Sequence, residues 1–330
     1  MTQNMTAYIF SGPGGPEVLQ KTDRERPEPA ANEVLVKVAA FGLNRADVQQ
    51  RKGVYPPPPG ASDIPGLEVS GTIVSVGQGV TGWQVGDRVA ALLASGGYAE
   101  YVSVPAPLLF PVPQSLTLTE AAGLPEVSAT VVSNVFDHGE LEAGQTILVH
   151  GGAGGIGSMA IQLAKAAGAR VLVTASTQEK LDYCATLGAD EGINYTQADV
   201  LQRVRELTDN EGVDLILDVV GAKYLSLNLK ALRAGGRLVI IGLQGGRKAE
   251  VDLGLMLGKR LRIIATTLRA RPLAEKAGIV QRTVQRIMPL LERGVLDLNV
   301  GKIFDFDSLP EAHEYFDSGV HKGKIVINLH

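Results

Sequence analysis

Cysteine is nearly missing: Cys184 is the single thiol in 330 residues. One thiol cannot close an internal disulfide, which points to a reducing compartment and hence a cytoplasmic location. It also excludes a structural zinc site built from four cysteines of this chain. Cys184 sits three residues after Leu181 and three before Leu187, a helical spacing, and reads as a small buried hydrophobe rather than a reactive thiol. Aromatics make up 5% of the chain, the net charge is −4, and no run of five basic residues occurs. A basic groove with stacking aromatics for nucleic acid, or a polybasic patch for an anionic membrane, is therefore not expected. No apolar run approaches the roughly 18 residues that span a bilayer. Met1 to Phe10 lack the charged start and long apolar core of a signal peptide. His138 and His150 are isolated, with His150 reading as a packing or backbone-bonding residue, and His313, His321 and His330 show no metal-ligand spacing.

What is present is an ordinary globular composition, 45% hydrophobic and 20% charged, at a length that suits two domains. Residues 5 to 150 are β-rich. Val34 to Ala40, Val69 to Val76, Arg88 to Leu93 and Tyr98 to Val104 read as strands, divided by Gly/Pro clusters such as Gly12 to Pro16 and Pro56 to Gly60. Short strands so punctuated predict a Greek-key or barrel-like domain. From Thr146 strands and helices alternate. Strands are read at 146–149, 170–174, 193–195, 215–219, 237–242 and 262–267, with helices at 156–167, 178–187, 200–208 and 224–233. This is the pattern of a doubly wound parallel sheet. After a helix over 272–293, strands at 296–306 and 324–329 flank a short helix, so the C-terminus returns to the β domain.

The most informative stretch is Gly152-Ala153-Gly154-Gly155-Ile156-Gly157. It follows the apolar strand Ile147-Leu148-Val149 and opens a helix marked by Met159, Ala160 and Leu163, with a second strand from Arg170. In this βαβ context G-x-G-x-x-G is a dinucleotide cradle. The first glycine turns the chain, the second admits a pyrophosphate, and the third lets helix approach strand. The acid that usually binds an NAD ribose, about 20 residues on, is absent: the second strand ends Val173-Thr174-Ala175-Ser176-Thr177, and Lys180 follows. A missing carboxylate beside a cation favours a 2′-phosphate, hence NADP(H). Ser176 and Glu179 also fit a capping box, and Lys180 also fits a solvated position; both readings are compatible with phosphate binding.

The order of β domain, glycine-rich Rossmann domain and β return resembles the medium-chain dehydrogenase/reductase superfamily. Ala40 to Asp47 and Pro65 to Gly71 are similar to its zinc-free quinone oxidoreductase branch, which includes zeta-crystallin. Asn44 to Asp47, Gln50 to Tyr55, Pro57 to Ser62 and Leu116 to Thr119 look like that branch's tumour-suppressor-inducible quinone oxidoreductases. The resemblance covers essentially the whole chain from Met5. It implies a GroES-like, partly open β-barrel over 1–125 and 268–330, and a Rossmann NADP-binding domain over 126–267. In the zinc-dependent relatives a cysteine lies near the site of Leu43-Asn44-Arg45 and a histidine precedes the glutamate. Here Leu67 stands before Glu68, so two ligands are lost and no metal is expected.

The resemblance further implies hydride (or electron) transfer from NADPH to quinones, with closure of the interdomain cleft excluding water. Tyr55 is the leading catalytic donor, alternatively an aromatic at the rim. Asn44 is a second donor, to the acceptor or to the nicotinamide ribose, alternatively a turn residue. Arg45 and Asp47 read as a structural pair. Thr130, Gly154, Gly155 and Ile156 are expected around the pyrophosphate, with Gly152 and Gly157 in the same loop. Ser176, Lys180 and Tyr195 are expected around the 2′-phosphate and adenosine, Gly221, Gly242 and Leu243 at strand ends, and Leu268 and Lys324 from the C-terminal half. Alternatives are an enone or enoyl-thioester reductase, and a non-catalytic NADPH-binding protein. The resemblance also implies a homodimer through the strands near 237–243 and 261–268.

Overall fold

The structure, a computed structural model, describes residues 3–329; His330 lies outside them. The chain forms two compact units, residues 1–129 with 268–330, and residues 130–267.

The second unit is built on a six-stranded parallel sheet. Its order across the sheet is Glu191–Asn194, Arg170–Ala175, Thr146–His150, Val213–Asp218, Leu232–Ile240, Arg262–Ala265. In order of appearance this is 3-2-1-4-5-6, the doubly wound arrangement. The central strands are apolar runs because helices cover both faces of such a sheet. Ile147, Leu148, Val149, Val171, Leu172, Val173, Leu215 and Ile216 are all fully buried. Each such side chain contributes about 1.5–3 kcal/mol of transfer free energy. The order reverses between Thr146–His150 and Val213–Asp218, where a ligand crevice opens beyond the strand ends.

The first unit starts with an antiparallel hairpin, Asn4–Phe10 against Leu19–Glu25. The sequence offers little sign of its second strand, whose residues Gln20 to Glu25 are polar and lie on the surface. A seven-stranded sheet follows, in the order Val300–Asp305, Lys324–Asn328, Glu33–Leu43, Glu68–Val76, Arg88–Leu92, Leu109–Pro111, with Tyr101–Pro105 also on Glu33–Leu43. The strand Glu33–Leu43 holds the unit together. Its pairing with Glu68–Val76 shifts register at Leu35/Val36 and Val38/Ala40. Such irregularities bend a strand, and the two halves take different third partners: 33–37 pair with Tyr101–Pro105 and 40–43 with Lys324–Asn328. The sheet therefore curls toward a barrel.

That register positions the site. Ile325 lies opposite Leu43, which brings Lys324 beside Asn44 at the start of helix Arg45–Arg51. Elements not anticipated from the sequence are that helix and the helix Leu253–Lys259; residues 129–132 have helical character in the sequence, but the wide-turn π-helical form of Val132–His138 is not anticipated. The strand predicted from Tyr98 begins at Tyr101, because Tyr98 and Ala99 instead bridge to the N-terminal strand at Ala7 and Tyr8.

Candidate active site

Asn44 caps helix Arg45–Arg51 in an extended conformation, and its backbone N–H donates to Asp47 Oδ2 at 2.8 Å. Its side chain is committed at both ends. Nδ2 donates to Glu68 Oε1 at 2.9 Å, and Oδ1 accepts from Lys324 Nζ at 2.7 Å. Lys324 Nζ also donates to Leu43 O at 3.2 Å and to Glu68 Oε1 at 2.5 Å, so all three ammonium protons have acceptors. Glu68 Oε2 accepts from the backbone N–H of Glu126 at 2.9 Å. A close-packed backbone surrounds the cluster: a Cβ at Gly42 would lie 2.2 Å from Glu68 Oε1 and 3.0 Å from Ala122 O.

A second ring of polar groups lies on the same unit. Arg269 is buried; Nε donates to Ala94 O at 2.6 Å and Nη2 to Gln50 Oε1 at 2.7 Å, while Nη1 has no partner. Its guanidinium lies 5.6 Å from the centre of the Tyr55 ring, within cation–π range. Asp47 is fully buried with Oδ1 unpartnered. Burial pushes its carboxyl up to about 7, against the Asn44 hydrogen bond and the charges of Lys324 and Arg269. Burial also raises the Tyr55 phenol, with Glu126 adding to the rise and Arg269 opposing it. Behind them Arg51 Nη1 meets His313 Nδ1 at 3.0 Å and His313 Nε2 meets Tyr98 OH at 3.2 Å, while Arg51 Nη2 pairs with Asp317. Burial, and then the Arg51 charge, push His313 down to about 3, so the ring is neutral. Nδ1 then accepts from Arg51, and Nε2–H donates to Tyr98.

The expected pair between Arg45 and Asp47 does not form. Residues two apart on a helix point away from each other. Asp47 turns inward to the Asn44 N–H, and the Arg45 guanidinium lies 4.7 Å from the centre of the Phe316 ring.

On the second unit the glycines divide by task. A Cβ on Gly152 would sit 2.8 Å from Val173 Cβ and 3.0 Å from Cys184 Sγ. On Gly157 it would sit 2.4 Å from Gly151 O and 2.5 Å from Gly152 O, so only glycine lets this helix approach the turn. Gly154 is different. Its φ is −79°, open to any residue, and a Cβ there would meet nothing of the protein nearer than Gly151 O at 3.7 Å. The fold does not require glycine at Gly154. Helix Gly155–Ala166 starts there without a side-chain cap, so its first-turn N–H groups, those of Gly155, Ile156 and Gly157 among them, have no side-chain acceptor. Such a terminus favours an anion, so the residues present fit a dinucleotide pyrophosphate.

Ser176 and Tyr195 follow adjacent parallel strands, with Tyr195 N donating to Ala175 O at 3.1 Å. The cap of helix Gln178–Thr186 is Thr177, not Ser176. Thr177 is extended and its Oγ1 accepts from Lys180 N at 3.2 Å, which shifts the cap one residue from the predicted Ser176-x-x-Glu179 box. Ser176 keeps its hydroxyl out of that role. Lys180 is half-buried, and burial lowers its ammonium. At the reversal of strand order, Asp218 Oδ1 and Oδ2 accept from Val220 N at 2.7 Å and Gly221 N at 3.0 Å. Gly221 has φ +79°, and a Cβ there would lie 2.9 Å from both Gly246 O and Leu243 Cδ2. Gly221, Gly242 and Leu243 are thus one packed corner. His150 bonds side chains rather than backbone, at 3.1 Å to Thr174 Oγ1 and 2.8 Å to Asn228 Oδ1. Thr130 is buried in the wall of this unit, and Leu268 is buried in the other unit next to Arg269.

Sequence reading missed Glu126, Arg269 and the role of Glu68 toward Lys324. Glu68 carried a signal, since it directly follows Leu67, which stands where the zinc-dependent relatives carry a histidine ligand. Glu126 and Arg269 carried none.

A family model described as alcohol dehydrogenase GroES-like domain matches residues 30–114, and one described as zinc-binding dehydrogenase matches 155–285. The quinone oxidoreductase of Rattus norvegicus is 33% identical over 322 residues, covering 96% of this chain and 95% of its own. The crystal structure of Escherichia coli quinone oxidoreductase complexed with NADPH superposes with a TM-score of 0.88 at 28% identity, covering 98% of this chain and 100% of that one. The CurK enoyl reductase superposes with a TM-score of 0.86 at 27% identity, covering 99% of each. As to zinc, the donor set does not fit: Glu68 is spent on Lys324, Asn44 and Glu126 N–H, and Leu67 offers no ligand. Among the described residues no group of three or more His, Cys, Asp or Glu is placed to hold a metal ion.

Proposed function

The chain belongs to the quinone oxidoreductase branch of the medium-chain dehydrogenase/reductase superfamily, and we propose that it is a zinc-independent NADPH:quinone oxidoreductase. The observation that carries this reading is Gly154, a glycine that packing does not need, at the mouth of a helix N-terminus. When bound, the nicotinamide supplies the hydride. The chain supplies binding and charge stabilisation. Gly152 shapes the turn, Gly154, Gly155 and Ile156 offer backbone to the pyrophosphate, and Gly157 seats the helix. Ser176, Lys180 and Tyr195 take the 2′-phosphate and adenosine. Thr130, Gly221, Gly242 and Leu243 complete the contacts on this unit. On the other unit Tyr55 donates to the acceptor oxygen, where charge develops. Lys324 and Glu68 hold Asn44, which caps the helix leading toward Tyr55.

The test is a steady-state screen of NADPH against NADH, with ortho-quinones, para-quinones, enones and enoyl thioesters. Quinone turnover with NADPH is the expected outcome. A preference for enoyl thioesters would favour the second reading, a reductase of activated double bonds, which the likeness to an enoyl reductase supports. Tight NADPH binding with no turnover on any acceptor would make the chain a binding protein.

Lys180→Glu is expected to weaken NADPH binding by about 100-fold, roughly 2.7 kcal/mol, and NADH binding by less than about threefold. Fluorescence titration of both nucleotides measures this, and equal losses would remove Lys180 from the 2′-phosphate site.

We also propose a homodimer through the edge strand Arg262–Ala265. Next to it the helix Leu253–Lys259 exposes Leu253 at 73% and Leu257 at 82%. An unpaired edge beside exposed apolar residues invites a second copy.

A further inference from the structure

We propose that Glu126 is the acid that delivers a proton to the reduced acceptor, a role that rests on the oxidoreductase reading above. Three carboxyls, those of Asp47, Glu68 and Glu126, lie within electrostatic reach of one another in the first unit. Asp47 and Glu68 are fully buried and held by Asn44, Lys324 and the Glu126 N–H. Glu126 alone of the three reaches solvent. It is partly exposed, while Val127 and Ser128 beside it are buried. Its backbone is pinned by the 2.9 Å bond from its N–H to Glu68 Oε2. Its carboxyl makes no hydrogen bond among the described residues. A placed backbone with an uncommitted, accessible carboxyl is what a proton donor to a bound ligand requires.

The surroundings keep that carboxyl protonated at neutral pH. Burial is the main cause, and the negative charges of Glu68 and Asp47 add to it. Lys324 and Arg269 oppose them, and the balance leaves Glu126 at about 8. Tyr55 and Lys276 also lie within its electrostatic reach. The half-buried Tyr55 phenol is raised above its ordinary value of 10.0, so it is the weaker acid. A donor whose affinity for protons lies near the working pH transfers them most effectively.

The step balances. When bound, NADPH would supply a hydride that becomes bonded to the acceptor, leaving NADP⁺ and a negative charge on the acceptor oxygen that calls for one proton. The Glu126 O–H bond breaks, its proton passes to that oxygen, and the carboxylate remains beside Arg269 and Lys276. A proton from water restores the acid. The sign of the pH dependence follows: the active form is protonated, so turnover is full below about 8 and falls as pH rises through that value.

The experiment compares wild type with Glu126→Gln and Glu126→Asp. Glu126→Gln should lower kcat by about 100-fold, keep the KM for NADPH, and lose the fall in rate above about pH 8. Glu126→Asp should keep that fall. Independently of turnover, the protonated-carboxyl C=O band of the wild-type protein should hold, beside the Asp47 component that fades through about 7, a component that fades through about pH 8 and is missing from Glu126→Gln. Thermal melting and NADPH titration check that the variants fold. Should Glu126→Gln fail to fold, the infrared titration and Glu126→Asp decide. A Glu126→Gln enzyme with wild-type kcat and pH profile overturns the proposal while leaving the oxidoreductase reading intact, as does an ionised Glu126 at pH 7. A wild-type protein that reduces no acceptor overturns both.

Discussion

Lys324→Met should destabilise the protein by about 3–5 kcal/mol and abolish most acceptor reduction. The Lys324 and Glu68 side chains are 4% and 0% exposed. Lys324 donates to Glu68 Oε1 at 2.5 Å, Asn44 Oδ1 at 2.7 Å and Leu43 O at 3.2 Å. Methionine has similar reach and no charge, so the substitution fills the volume and deletes only the ammonium. Glu68 would be left as an uncompensated buried carboxylate, and the Asn44 carbonyl would lose its donor. Much of the cost therefore lies in the orphaned partner rather than in the pair. One consequence separates this account from simple loss of packing. The double variant Lys324→Met/Glu68→Gln should recover more than half of the lost stability, because no charge is then left alone. Urea unfolding of both variants measures it. A single-variant loss below about 1 kcal/mol, the size typical of an exposed pair, would mean that the pair is solvated in solution.

That cluster marks where sequence reading stops. The apolar run Ile147 to Val149, the glycines after it and the alternation beyond were legible because each signal lies within one turn or one strand. The GroES-like unit was legible as short punctuated strands, except for Leu19–Glu25, whose surface position leaves it no apolar period. Lys324 and Glu68 lie 256 residues apart. Only the register of Lys324–Asn328 against Glu33–Leu43 brings them together, and register is not written locally. Asp47 departs from the expected pairing for a different reason. Its neighbour in sequence, Arg45, is not its neighbour in space, since a helix separates residues two apart. Arg269 and Glu126 belong to no motif. They gain significance from burial, from unpaired polar atoms and from the charges around them, none of which is visible until the chain is folded.

The two glycines of the loop should respond to the same added methyl group in opposite ways. Gly157→Ala should destabilise the second unit by about 1–3 kcal/mol, the range for overpacking. Its Cβ would lie 2.4 Å from Gly151 O and 2.5 Å from Gly152 O, both backbone, which cannot swing aside as a side chain can. Dinucleotide binding should fall with it, since the helix start must move. Gly154→Ala should leave stability within about 0.5 kcal/mol of wild type. Its φ of −79° suits alanine, and beyond its chain neighbours the new Cβ would meet Gly151 O first, at 3.7 Å. Its cost should appear only with ligand. A methyl group in the path of the pyrophosphate should weaken NADPH binding by about 100-fold, or roughly 2.7 kcal/mol. Gly154→Val should weaken it further with stability still nearly unchanged. Thermal unfolding with and without NADPH separates the two effects, because a ligand that binds only the folded state raises the midpoint in proportion to its occupancy. Wild type should gain with NADPH, Gly154→Ala should start level with wild type and gain little, and Gly157→Ala should start low. Undiminished NADPH binding in Gly154→Val would mean that the phosphates do not pass this glycine, and the cradle would have to be placed elsewhere on the unit.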